Sequence, residues 1–139
     1  MKRKELLTTS LSFGGLLFVL NEVATYLNLF WSLWWLDLAF HFVGGFAVGS
    51  LAIGLFVARN QTFWKAARTV FLSTLLVALL WEVYEFVLRD VYTEDYFVDA
   101  STDIVLGLAG GLLALFFVPR NLWEIRGAFT RREERIAGE

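Results

Sequence analysis

Residues 37–49 read DLAFHFVGGFAVG and contain four notable residues at four-residue steps: Asp37, His41, Gly45 and Gly49. His41 is the only histidine of the chain. On a helix these positions lie close to one stripe, polar at one end and without side chains at the other. The same design returns 62 residues later as aspartate, aspartate, glycine and glycine at positions 99, 103, 107 and 111. We therefore expect the two stripes to face each other between two helices.

The composition indicates a membrane protein. Of the 139 residues, 58% are hydrophobic and 17% aromatic, and the mean hydropathy is +0.59, which is more apolar than a soluble domain of this length. The chain contains no cysteine, which excludes disulfides and thiolate chemistry. Neither a nucleotide-binding glycine loop nor a soluble basic domain occurs, so a nucleic-acid partner is not predicted.

Four apolar segments are long enough to cross a bilayer, which takes about 20 residues each. Because a segment in lipid must pair all its backbone groups internally, each is expected to be a helix. The fold is therefore predicted to be all-α, a four-transmembrane-helix bundle over residues 1–119, followed by a basic amphipathic tail over residues 120–139. The four segments run from about 6 to 30, 36 to 58, 66 to 88 and 100 to 118.

The basic residues predict how the chain crosses the membrane. Eleven of the 12 lysines and arginines lie at the amino terminus, between the second and third spans, or in the carboxyl-terminal tail. Only Arg89 lies on the other side. The positive-inside rule then places both termini in the cytoplasm of a plasma or inner membrane. Lys2, Arg3 and Lys4 resemble the start of a signal peptide, but no cleavage site follows, so the first span is interpreted as retained.

In this topology the ionisable residues of all four helices share one layer in the outer half of the membrane. Such residues are costly in hydrocarbon and are functional by default. Six carboxylates and one imidazole cannot all stay charged in a common interior, so either some are protonated or a divalent cation lies among them. Oxygen ligands with one histidine suit Zn, Mn, Fe, Mg or Ca. The predicted ligands are Glu22, Asp37, His41, Glu82, Glu85, Asp99 and Asp103.

Simpler interpretations exist for several of these residues. A histidine on an apolar helix is ordinarily a hydrogen-bonded packing residue, which applies to His41. Asp37 and Asp99 precede apolar helices and could be N-caps, and Glu22 could be a hydrogen-bonded structural residue. The paired Glu-x-x-His motif of di-iron bundles does not occur, so that class is not predicted.

The glycines of each stripe form small-x-x-x-small patterns, which let membrane helices approach closely. Close packing of the second and fourth helices would bring Asp37 and His41 toward Asp99 and Asp103. The register of the two stripes also suggests two parallel helical-hairpin repeats, related by an axis along the membrane normal. Four short helices around a charged centre would gain from a partner, so a homo-oligomer is an alternative state.

The combined spacing resembles YjdF-type inner-membrane proteins and is similar to the VanZ-like family. The resemblance covers about residues 36–111, three of the four helices, with leucine at position 38 where both families usually have lysine. It implies a small integral membrane protein but no defined activity, because YjdF-type proteins lack an assigned one and VanZ is associated with glycopeptide-antibiotic resistance by an unsettled mechanism. The matching positions are Asp37 and His41, Glu82 and Glu85, and Asp99, Asp103 and Gly107.

Three functions are compatible with these residues. The first is a metal-dependent hydrolase or transferase acting on a lipid or lipid-linked headgroup, with Glu82 or Glu85 as general base. Arg89 would bind a phosphate or, as the simpler interpretation, snorkel to the lipid headgroups. The second is a small cation- or proton-coupled transporter or channel. The third is an accessory subunit whose polar cluster locks the bundle. The inner halves of the helices carry few polar residues, which favours the first and third over the second.

Overall fold

The described part of the chain is all-α and contains four long helices, as predicted. The computed structural model describes residues 2–57, 61–88 and 96–118. Each of the four long helices is apolar and long enough to cross a membrane, which confirms the four-helix membrane fold. In chain order the helices are α1 (Arg3–Tyr26), α2 (Leu29–Ser32), α3 (Trp34–Phe56), α4 (Phe63–Leu88) and α5 (Tyr96–Phe117).

Consecutive long helices run in opposite directions. The Arg3 guanidinium at the start of α1 donates to the carbonyl oxygens of Gly54 and Leu55 at the end of α3, where helix carbonyls have no partner of their own. At the start of α4, Phe63 contacts Phe116 near the end of α5. We call this end of the bundle the basic end, and the opposite end, where α3 and α5 begin, the acidic end.

The first span ends earlier than predicted. The prediction carried it to residue 30, whereas α1 ends at Tyr26 and a separate short helix, α2, follows. The reason is Asn28, whose φ of 54° is left-handed and interrupts the helix, a conformation that asparagine tolerates better than most residues. Glu22 therefore lies about one turn, or roughly 6 Å, from the end of α1 instead of the predicted ~12 Å. The bounds of the other three spans agree within four residues.

Helices α3 and α5 run parallel and form the most extensive helix–helix contact of the bundle. A Cβ built on Gly45 would lie 2.6 Å from the carbonyl carbon of Gly107, and one built on Gly49 would lie 2.7 Å from Cα of Gly111. Both distances are shorter than real Cβ contacts, so the two backbones touch. The glycine ends of the two stripes thus meet as predicted, and each glycine faces its equivalent 62 positions later.

The basic end is filled by apolar side chains from all four long helices. Leu6 of α1 packs with residues near the ends of α3 and α5 and near the start of α4. This packing leaves few polar groups between the helices at the basic end. The buried members are Leu6, Ala52, Ile53, Val57, Ala66, Val70, Ala114, Leu115 and Val118.

Some predictions lie outside the described residues. They are the phosphate-binding role of Arg89, the boundary after residue 119, and the basic tail over residues 120–139.

Candidate metal centre

The site begins with His41, which the α3–α5 contact brings next to two aspartates. Its Nε2 lies 3.7 Å from Oδ1 of Asp37, one turn earlier on α3, and 3.6 Å from Oδ2 of Asp103 on α5. The three residues can offer ligand atoms that all lie within 4.8 Å of one another. Gly45 and Gly107, one turn deeper, permit this approach because a side chain at Gly45 would push the helices apart.

A second group of ligand atoms shares the same histidine. Glu82 and Glu85 come from α4, and one atom from each lies within 4.8 Å of the other and of a His41 nitrogen. They are one turn apart on a helix that contacts both α3 and α5. Five of the seven predicted ligands, contributed by three helices, therefore converge around His41.

Two of these carboxylates have a buried oxygen that lacks a partner. Glu82 is 7% exposed and Asp103 is 2% exposed. Oε1 of Glu82 and Oδ1 of Asp103 have no hydrogen-bond partner among the described residues. A buried polar atom without a partner loses its hydration and gains nothing in return, so such atoms are rare in folded proteins and often mark a missing water or ion. Carboxylate oxygens with one imidazole are the ligand types that Zn²⁺, Mn²⁺ and Fe²⁺ accept.

The other two predicted ligands lie outside both groups. Asp99 is on α5, one turn before Asp103, and its side chain is exposed. Glu22 is hydrogen bonded instead: the hydroxyl of Tyr84 donates to its Oε1 at 3.3 Å, and Nδ2 of Asn21 donates to the same oxygen at 3.5 Å. This arrangement agrees with the structural interpretation of Glu22.

The N-cap interpretation of Asp37 and Asp99 is wrong. The N-cap residue of α3 is Leu33, and Asp99 lies inside α5, which begins at Tyr96. Both aspartates are in the first turn of their helices. A carboxylate there interacts favourably with the positive end of the helix dipole without acting as a cap.

Sequence reasoning missed three residues that join the helices around the site. Tyr84 binds Glu22, and the Tyr96 hydroxyl donates to the main-chain oxygen of Glu82 at 3.3 Å. A Cβ on Gly110 would lie 2.9 Å from the carbonyl carbon of Phe42, so this glycine also sets the α3–α5 separation. The tandem glycines at 110 and 111 were a usable signal for Gly110. The two tyrosines carry none, because they lie in aromatic-rich segments.

Comparison with known proteins places the chain in a family but assigns no activity. No curated protein and no solved structure matches it significantly. A family described as a predicted membrane protein (DUF2238) matches residues 3–123, which includes all four long helices and every residue of the site. The chain therefore belongs to the DUF2238 family of membrane proteins.

Proposed function

We propose that this protein is a metal-dependent enzyme that acts on the headgroup of a lipid. It would bind a divalent cation in the outer half of a cell membrane. The proposed ligands are Asp37, His41 and Asp103, with Glu82 and Glu85 beside them. The observation that carries the proposal is the convergence of both ligand groups on His41, together with buried carboxylate oxygens that lack a partner.

The orientation in the membrane is part of the proposal. The acidic end carries the site, and the amino-terminal basic residues lie at the other end. The positive-inside rule then puts the basic end in the cytoplasm and the site in the outer leaflet. Trp31 and Trp34, which are 94% and 75% exposed, would lie in the outer interface, where tryptophan is enriched.

The residues divide into two roles. Asp37, His41 and Asp103 would hold the cation, which supplies positive charge to polarise a phosphoryl or carbonyl oxygen. Glu82, whose Oε1 has no partner among the described residues, would accept the proton of an attacking water or hydroxyl group. The oxygen of the water or hydroxyl group would form a bond to phosphorus or carbon while the bond from that atom to the leaving group breaks. The proton accepted by Glu82 can then pass to the leaving group. Glu85 is the alternative base.

The two other interpretations have less support. A transporter needs a polar path to the cytoplasmic side, whereas the basic end is closed by the apolar cluster described above. A purely structural cluster should satisfy its own hydrogen bonds, because unsatisfied polar groups destabilise a membrane bundle. The unpartnered oxygens of Glu82 and Asp103 favour a site that binds something. The resemblance to YjdF-type and VanZ-like proteins is compatible with this proposal and adds no activity to it.

Metal content tests the cation site directly. The protein would be purified in mild detergent without chelators and measured by elemental mass spectrometry beside His41→Ala, Glu82→Gln, Asp103→Asn and Asp99→Asn. We expect near-stoichiometric metal in the wild type, in Asp99→Asn and in Glu82→Gln, which changes the proposed base rather than a proposed ligand, and loss in His41→Ala and Asp103→Asn. Asp99 is the matched control, since it lies one turn from Asp103 on the same helix but is exposed.

Two results would contradict the cation site. Metal-free wild-type protein is one, and equal loss in Asp103→Asn and Asp99→Asn is the other, because it would indicate diffuse attraction rather than ligation. Thermal unfolding of each variant separates loss of metal from loss of fold. For the enzymatic step, metal-loaded protein in vesicles of phosphatidylethanolamine and phosphatidylglycerol should convert a headgroup, detected by lipid mass spectrometry, and Glu82→Gln should not. Metal binding with unchanged lipids would contradict action on these headgroups.

A further inference from the structure

A cavity of about 360 Å³ lies between α1, α3 and α4 and reaches the metal centre at His41. Most of its wall is aliphatic or aromatic, and paired glycines on two helices create the space: Gly14 and Gly15 on α1, and Gly44 and Gly45 on α3. Its volume is within the range of about 300–1,000 Å³ that is typical of small-molecule sites. Gly14 and Gly15 of α1 have no role in the metal centre, but they form part of the wall of this cavity.

The cavity is open toward the side of the bundle, below two contacts that join α1 to α4. The rings of Phe18 and Trp81 meet edge to face at 6.2 Å and join α1 to α4, and the Tyr84–Glu22 hydrogen bond joins the same helices one turn further on. Below this pair, the lining residues Leu11 and Val77 are 59% and 42% exposed. The opening therefore faces the surroundings of the bundle within the apolar part of the helices.

The length of the cavity matches one leaflet. Its lining on α3 extends from Phe40 to Leu51, which is about 16 Å at the rise of an α-helix. This is about half of the ~30 Å hydrocarbon core of a bilayer. At this depth in a bilayer, the molecules outside the opening are lipid tails.

We infer that this cavity binds one hydrocarbon chain of a membrane lipid, which enters between α1 and α4 and places its polar headgroup near His41. The inference rests on the proposed function in one respect: it names a lipid with a hydrophobic tail as the substrate of the metal centre. His41 belongs both to the cavity wall and to the two ligand groups, so a bound chain and the reacting headgroup would be adjacent.

Two glycines of the wall make the inference testable without disturbing the helix contacts. A Cβ built on Gly14 or on Gly44 meets nothing within 4 Å, so a leucine at either position would extend into the cavity rather than into a neighbouring backbone. Ala109→Leu is the matched control, because Ala109 is exposed on α5 and is not part of the wall.

The probe is a phosphatidylglycerol with a photoreactive diazirine on one acyl chain, added to the protein in nanodiscs of phosphatidylethanolamine and phosphatidylglycerol. After irradiation, peptide mapping would compare labelling of the wall residues Leu17 and Leu51 with labelling of Leu80, which is 60% exposed on α4. We expect the wall to be labelled more strongly than Leu80 in the wild type and in Ala109→Leu. In Gly44→Leu and Gly14→Leu, labelling of the wall should fall to the level of Leu80.

Wall labelling no stronger than that of Leu80 would overturn the inference, as would strong wall labelling that persists in both glycine variants. The His41→Ala variant separates this inference from the proposed function. It should lose the metal and keep the labelled wall, since its change is at one end of the cavity. If the wild-type protein holds metal but its cavity wall is not labelled, only the proposed binding of a hydrocarbon chain is overturned. If the wall is labelled in wild-type protein that holds no metal, only the metal centre is overturned.

Discussion

Two adjacent glycines of α3 should respond in opposite ways to the same substitution. In Gly45→Ala the new Cβ would lie 2.6 Å from the carbonyl carbon and 2.7 Å from Cα of Gly107, whereas in Gly44→Ala it meets nothing within 4 Å. Carbon atoms pack at about 3.5–4.0 Å, so α3 and α5 would have to separate by about 1 Å at Gly45. Only Gly45→Ala requires this movement.

The magnitude follows from two terms. Both substitutions replace glycine by alanine inside a helix, which stabilises the helix by up to about 1 kcal/mol in either case. Forcing an extra carbon into a packed contact costs about 1–3 kcal/mol. The helix term cancels between the two variants, so Gly45→Ala should be less stable than Gly44→Ala by about 1–3 kcal/mol.

The measurement is the free energy of unfolding of the purified protein in mixed micelles, titrated with a denaturing detergent and followed by circular dichroism. Metal content of the same samples gives a second readout, because separation at Gly45 would carry His41 Nε2 away from Asp103 Oδ2, now 3.6 Å away. Equal stability of the two variants would refute the close α3–α5 contact. Gly107→Ala adds a check, since its Cβ would meet only ordinary contacts at 3.7 and 3.9 Å.

Three further predictions concern the loop, an interhelical bond and the orientation. Asn28→Ala should lower the unfolding free energy by about 1–2 kcal/mol, because alanine is strained at the left-handed φ of 54°, and no change in a denaturation titration would contradict this. Tyr84→Phe removes the hydrogen bond to Glu22 and should destabilise by about 0.6 kcal/mol, the average for such bonds in membranes, whereas the same loss in a Glu22→Ala background, which has no side-chain acceptor, would show that the bond is not the cause. Because the chain has no cysteine, Ser32→Cys should react with an impermeant maleimide in intact cells and Thr62→Cys only after lysis; the reverse pattern would invert the proposed topology.

The number of spanning helices and the facing of the two glycine stripes could be predicted because both depend on local pattern. Apolar length sets the spans, and four-residue steps set the stripe. The end of α1 could not be predicted in this way, because Leu29 and Phe30 continue the apolar run and only the backbone conformation of Asn28 interrupts it.

The seven ionisable residues do not all meet in one group, because a four-residue step does not follow one line along a helix. With 3.6 residues per turn, each such step rotates the side chain by about 40°. On α5, Asp103 is one step from the contact glycine Gly107 and is buried, whereas Asp99 is two steps away and is exposed. The cavity could not be predicted either, because it depends on how far α1 stands from α4, which no local pattern of residues encodes.

The two stripes differ where α3 has His41 and α5 has Asp103. This difference explains why a polar site forms where two identical charged residues would destabilise the helix contact. Parallel helices that meet through equivalent residues bring each side chain next to its own counterpart. Asp37 and Asp99 are equivalents at the start of the stripes, where Asp99 is exposed, but an aspartate on both stripes at the next step would place two like charges together. At this position α5 has Asp103 and α3 has His41, with Nε2 and Oδ2 3.6 Å apart. An imidazole and a carboxylate can share a proton or a cation where two carboxylates repel. The glycines keep the two stripes equivalent where the backbones touch, and the single histidine breaks that equivalence where, as we propose, the cation binds.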